Sequence, residues 1–146
     1  RRLGGKAMRP AIITAERFGN PGKGYLSMVQ AEGLFPGQIK RLFYIYDLQA
    51  GTVRGGHAHR TVTQMFCVVS GRAVFSTMRR DAGKTMPEAR TLHTPEQWLL
   101  VPPLTWLEIS ITEKGTVIIC LCDQGYEEEE YIRSFEGWLI ATEVPR

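Results

Sequence analysis

Gly51-Thr52-Val53-Arg54-Gly55-Gly56-His57-Ala58-His59, with Gln64 and Gly71 downstream, is the most informative run of the chain. In an extended segment, side chains alternate between faces. Two histidines at i and i+2 therefore project the same way, and one pocket can receive both imidazoles. Gly51, Gly55, Gly56 and Arg54 crowd the same segment, as expected where a ligand approaches backbone closely. The alternative is a pair of half-exposed polar residues near a turn.

On either side of this run, short apolar or β-branched segments recur about every 8–12 residues, the rhythm of a sandwich or barrel. Strands are expected near 11–17, 25–31, 39–47, 57–62, 64–69, 72–78, 89–93, 98–101, 105–111 and 117–122. Turn chemistry separates them: Asn20-Pro21-Gly22, Phe35-Pro36-Gly37, Gln49-Ala50-Gly51, Ser70-Gly71, Asp81-Ala82-Gly83, Pro102-Pro103 and Glu113-Lys114-Gly115. Only 127–140 departs from the rhythm. There Tyr131, Phe135, Trp138 and Leu139 fall at helical spacing behind four glutamates suited to a helix N-terminus, so a terminal helix is expected. No repeat or low-complexity linker divides the chain, and 8–146 reads as one domain. Residues 1–7 lack periodicity and precede Met8, and read as an expression scar or processed leader.

At 146 residues, a domain buries roughly 68–70% of the surface its unfolded chain exposes, enough to fold without metal or disulfide staples. The 18 basic and 15 acidic residues are too evenly balanced for general nucleic-acid binding. No apolar run approaches the roughly 20 residues of a membrane-spanning helix, so neither a nucleic acid nor a membrane is an expected partner. Three cysteines, without CxxC or CxxH spacing, are expected to be reduced core residues of a cytoplasmic protein.

The spacing of Gly51, His57, His59, Gln64 and Gly71 resembles the first motif of the cupins, G-x5-H-x-H-x3,4-E-x6-G. That resemblance implies an all-β, cupin-type double-stranded β-helix, or jelly-roll barrel, here with a short C-terminal helix. Gln64 stands where a cupin carries its metal-binding glutamate. Leu107, five positions after Pro102, stands where the second motif carries a histidine. A catalytic zinc or iron site needs three or four good ligands, and only His57 and His59 remain, with His93 in a different predicted strand. No metal and no cofactor is therefore expected.

A narrower resemblance covers 24–139. Ile39-Lys40-Arg41-Leu42-Phe43-Tyr44-Ile45-Tyr46-Asp47, Arg54-Gly55-Gly56-His57-Ala58-His59, Val101-Pro102-Pro103-Leu104-Thr105-Trp106, and Tyr126 through Tyr131-Ile132-Arg133 are similar to blocks of the WxcM-like sugar 3,4-ketoisomerases. The resemblance implies a homodimeric, metal-independent isomerase. It would act on dTDP-4-keto-6-deoxyglucose and move the carbonyl from C4 to C3, on the way to dTDP-3-amino sugars of lipopolysaccharide or S-layer glycans.

Such a reaction needs a base for the C3 proton and an acid that reprotonates C4 of an enediol, tasks suited to histidine. His57 and His59 are the expected base and acid, in an order the sequence leaves open. Tyr44 is added as a catalytic candidate from its motif block, with Tyr46 on the same strand face. Arg41 and Gln64 are candidate donors to the sugar oxygens, although Arg41 falls on the opposite face from Tyr44 by strict alternation. Arg54 also alternates away from the histidines unless Gly55-Gly56 forms a bulge, and its expected role is charge, either binding the diphosphate or depressing a histidine pKa. Trp106 is a candidate platform for the nucleotide base. Leu107 and Lys23 are expected at the rim of the sugar site, where this chain departs from its relatives. Two alternatives stay open: a nucleotide-sugar epimerase of the same fold, and a noncatalytic sugar-binding cupin.

Overall fold

Burial alternates along the strands as the sequence alternates. In β7 (Ala73–Asp81), Ala73, Phe75 and Thr77 are buried while Val74, Ser76 and Met78 are half-covered. The computed structural model describes residues 9–30, 35 and 37–143. The leader expected at 1–7, residue 31 of the second predicted strand and residue 36 of the Phe35-Pro36-Gly37 turn lie outside them.

Two five-stranded antiparallel sheets face each other as a jelly-roll sandwich rather than a fully closed barrel. The first has the order β1 (Ala11–Thr14), β9 (Gln97–Val101), β6 (Gln64–Ser70), β11 (Val117–Cys122), β4 (Arg41–Ile45). The second runs β12 (Tyr131–Ile132), β5 (Val53–His59), β10 (Trp106–Ile111), β7, β8 (Lys84–Leu92). A separate two-stranded arm pairs β2 (Glu16–Asn20) with β3 (Gly24–Met28). The helix α1 spans Phe135–Ala141.

Several predicted boundaries are corrected. The segment 11–17 divides at buried Ala15 into β1 and β2, and β5 starts earlier and ends earlier than 57–62. β7 and β8 run on to a tight Ala82-Gly83 turn, with both residues at positive φ, and Pro87 lies within the outermost strand of its sheet.

The expected helix over 127–140 is the largest correction. Glu128–Glu130 forms a short 3-10 turn, Tyr131 and Ile132 pair with His59 and Ala58, and helix begins only at Phe135. The glutamates serve neighbours instead of a helix dipole. Glu130 accepts hydrogen bonds from the Thr61 and Val62 N–H groups at 2.6 and 3.1 Å, which fixes the segment in extended form beside β5. Ser134 then caps α1 by accepting from the Gly137 N–H at 3.0 Å.

The main core fills the space between the sheets with Phe66, Val68, Phe75, Leu92, Leu99, Ile111 and Ile118. Burying such side chains contributes roughly 1.5–3 kcal/mol each. A second cluster joins Trp106, Ala58, Ile132 and Trp138 beneath α1.

Candidate active site

Toward one end of the sandwich the apolar filling gives way to polar residues in register. On the first sheet, Gln64, Cys122 and Arg41 are direct cross-strand partners on β6, β11 and β4. On the second, Thr77, Leu107 and His57 are partners on β7, β10 and β5. Between these rows opens a cleft of about 470 Å³, lined on its polar side by Arg41, Arg54, His57, Gln64, Tyr126, Tyr131 and Arg133. Leu107, Phe66 and Ile109 provide apolar wall.

A bulge brings Arg54 into this cleft. Leu107 pairs with His57 and Glu108 with Gly55, leaving Gly56 as the extra residue. The inserted residue reverses the alternation, so Arg54 and His57 line the same space. Gly55 has φ +87°, and a Cβ there would stand 2.6 Å from the Leu107 carbonyl oxygen. The glycines thus permit the bulge that the arginine requires.

The two histidines occupy different depths. His57 lines the cleft, whereas His59 is buried, does not line it, and has neither ring nitrogen hydrogen-bonded. Tyr131 adjoins both, with ring centroids 5.0 Å from His57 and 4.4 Å from His59. Arg41 spans from the opposite sheet to donate from Nη2 to the Tyr131 hydroxyl at 3.4 Å. Arg133 lies over the Tyr131 ring at 4.3 Å and pairs with exposed Glu128 at 3.0 Å, while the Tyr126 hydroxyl donates to the same carboxylate.

This environment favours neutral imidazole. Burial lowers the His57 pKa, opposed by a hydrogen bond with the Gly55 backbone and reinforced by Arg133. Burial, then His57 and Arg41, press His59 down to about 4. His57 is consequently available as a base at neutral pH, and His59 cannot serve as a standing imidazolium acid.

Other sequence candidates sit elsewhere. Tyr44 and Tyr46 are exposed, with Tyr44 on the outer face of β4, because Arg41, Phe43 and Ile45 take the inward positions. The placement of Tyr44 in the catalytic cleft is therefore corrected. Trp106 is 5% exposed and packs on Phe135 and Trp138, so its ring is committed to core and offers no platform to this cleft. Lys23 lies in the exposed turn of the β2–β3 arm, outside the cleft lining. Leu107 is buried in the cleft wall and main core, not at a rim.

The donor set does not suit the metal site of a cupin. At the four ligand positions stand His57, buried His59, an amide and an alkyl chain, and no cluster of three His, Cys, Asp or Glu suited to a metal occurs among the described residues.

The profile of the family described as FdtA, WxcM-like, C-terminal, matches residues 8–143. The chain belongs to that family. Within it, a TDP-4-oxo-6-deoxy-alpha-D-glucose-3,4-oxoisomerase of Aneurinibacillus thermoaerophilus is 29% identical over 116 residues, covering 80% of this chain and 81% of the relative. The sugar 3,4-ketoisomerase QdtA of Thermoanaerobacterium thermosaccharolyticum, solved with TDP, superposes with a TM-score of 0.82 at 24% identity, covering 91% of this chain and 93% of that one. A 3,4-ketoisomerase of Helicobacter canadensis gives a TM-score of 0.82 at 25% identity, over 93% and 98% of the two chains.

Sequence reasoning assigned no individual role to Tyr126, Tyr131 or Arg133, although their block carried the family resemblance. They were hidden by an apparent helical period. The available signal was Ser134 three residues before Gly137, a capping pattern that starts the helix after Arg133 rather than before Tyr131.

Proposed function

We propose that this WxcM-like protein is a 3,4-ketoisomerase of a dTDP-4-keto-6-deoxy sugar. The single observation that carries the reading is a half-buried histidine, His57, facing a cleft whose other polar groups can donate: Arg41, Arg54, Arg133, Tyr126, Tyr131 and Gln64. Such a lining complements a diphosphate and an enediolate, and the names of the similar enzymes supply the substrate class.

In this mechanism His57 removes the C3 proton, and the electrons of the broken C3–H bond form the C3–C4 double bond as charge moves onto O4. Arg41 and Gln64 are placed to donate to that charge. The O3 proton moves to O4, and the His57 imidazolium returns a proton to C4, so C3–H and O3–H are exchanged for C4–H and O4–H. Leu107 has no proton to give, which leaves C4 reprotonation to His57 or a water it holds. His59 packs behind Tyr131 and supports its ring, and Arg54 and Arg133 serve the diphosphate.

The alternative epimerase reading has less support, because no carboxylate lines the cleft to orient His57 among the described residues. A noncatalytic sugar-binding role leaves the neutral histidine without a task.

Two predictions test this reading. Protein stripped by exhaustive chelation should convert dTDP-4-keto-6-deoxyglucose to its 3-keto isomer at an undiminished rate; loss of turnover restored by stoichiometric iron or zinc would contradict it. Since the base works unprotonated and burial lowers its pKa, kcat/KM should stay level from pH 7 down to about 6.5, the ordinary histidine value, and fall only below it. A limb centred above 7 would assign the base elsewhere.

The same reading places the enzyme in the cytoplasm and as a homodimer. Exposed Phe18, Tyr25, Leu26 and Met28 on the β2–β3 arm supply apolar surface for a second copy, and a monomer in sedimentation velocity would contradict that part. No helix among the described residues is long and apolar enough to cross a membrane.

A further inference from the structure

Cys122 occupies the middle of the polar row on the first sheet. Its register partners are Arg41 on β4 and Gln64 on β6, both of which line the cleft. Its own side chain is completely buried, so it meets no substrate. Gln64 Nε2 donates to the Cys122 sulfur at 3.6 Å, and Arg41 is its cross-strand neighbour on the other side.

Besides lying over the Phe43 and Tyr126 rings at 5.1 and 5.6 Å, Arg41 is held loosely. Its Nε is buried without a hydrogen-bond partner, and its Nη2 bond to Tyr131 is 3.4 Å long. No carboxylate lines the cleft among the described residues to hold this guanidinium. The sulfur thus accepts from Gln64 and lies one strand over from Arg41, between the two donors that the proposed reaction aims at the sugar oxygens. A soft, polarisable acceptor suits that place, since a carboxylate there would draw Arg41 away from developing negative charge.

We propose that Cys122 is a positioning residue of the site: its sulfur, fixed between Arg41 and Gln64, sets the direction in which both side chains donate into the cleft. The proposal rests on the ketoisomerase reading for its kinetic consequence, but its structural content stands apart from that reading. Cys120, 3.9 Å away on the same strand face, backs the sulfur from the apolar side.

The test compares Cys122→Ala and Cys122→Val, which delete the acceptor, with Cys122→Ser, which restores a smaller one. Val, larger than Cys by about one methyl group, leaves no cavity and keeps the strand preference, so it supplies the answer if the Ala variant does not fold. Cys67→Ala is the control, because Cys67 is equally buried but donates to the Pro95 carbonyl away from the cleft. Deleting an oxyanion donor outright costs about 10²–10³ in kcat, so loosening one should cost about tenfold. The acceptor-deleting variants should lower kcat and kcat/KM together by that factor with KM little changed, and Ser should recover most of the loss.

The Arg41 Nε–H resonance in a 15N spectrum gives a readout that needs no turnover. It should shift or broaden in Cys122→Ala and Cys122→Val and stay at its wild-type place in Cys67→Ala. An unmoved resonance, wild-type kcat in the acceptor-deleting variants, or an equal loss in Cys67→Ala would each overturn the proposal. If wild type itself fails to isomerise the sugar, the ketoisomerase reading falls and the resonance alone decides the role of Cys122.

Discussion

His57→Asn should fold as wild type and lose about 10²–10⁴ in kcat, the range for removing a positioned general base. Asparagine keeps a hydrogen-bonding group of similar reach but cannot accept the C3 proton. Arg41, Arg54 and Arg133 are untouched by the change, so dTDP affinity measured by calorimetry should remain within a few-fold. Because His59 is buried behind Tyr131, His59→Asn should act less directly, through the seat of Tyr131. Rates near wild type in His57→Asn would return this histidine to a purely structural role.

The second large effect concerns stability. Trp138→Ala should destabilise the protein by about 3–5 kcal/mol, the usual cost of deleting a buried tryptophan side chain. Trp138 is fully buried, and its indole Nε1 donates to the Leu104 carbonyl at 2.9 Å. Leu104 in turn holds a positive φ and donates its N–H to the His59 carbonyl at 2.7 Å. The indole therefore ties α1 to the strand that carries both histidines, and its loss leaves a cavity and an unpaired carbonyl. Urea midpoints compared with those of Ile140→Ala, an exposed position on the same helix, should separate the two variants clearly. A cost for Trp138→Ala below about 1 kcal/mol would mean that α1 is dispensable to the core.

The legible parts of this molecule were those governed by local rules. The i, i+2 histidine pair and the turn residues follow from strand geometry, and they pointed to the sandwich and to the cleft. Arg54 shows the limit of that rule: strict alternation turns it outward, and only the extra residue at Gly56 brings it back beside His57. Tyr44 shows the cost of weighting a motif over parity, since Arg41 and Tyr44 cannot both face inward on a regular strand and the guanidinium took the inner place.

Long-range pairing decided the rest. Ser134 marks locally where the helix begins, but no local feature tells Tyr131 to pair with β5; Glu130, bonded to Thr61 and Val62, fixes that pairing from across the fold. Trp106 likewise reads equally well as a stacking platform or as core until α1 closes over it. The row of Gln64, Cys122 and Arg41 depends on the register of β4, β6 and β11, which the sequence does not display.

The central claim is that His57 moves a proton between C3 and C4, and the direct measurement is isomerisation of dTDP-4-keto-6-deoxyglucose in D2O followed by NMR. The account predicts a product with its carbonyl at C3, formed by wild type and suppressed in His57→Asn, carrying deuterium at C4 in the fraction of turnovers in which the imidazolium exchanges with solvent before returning its proton. A carbonyl still at C4 with deuterium at C3 or C5 would identify an epimerase, and an unlabelled, unchanged sugar would leave only binding; either result would contradict the account.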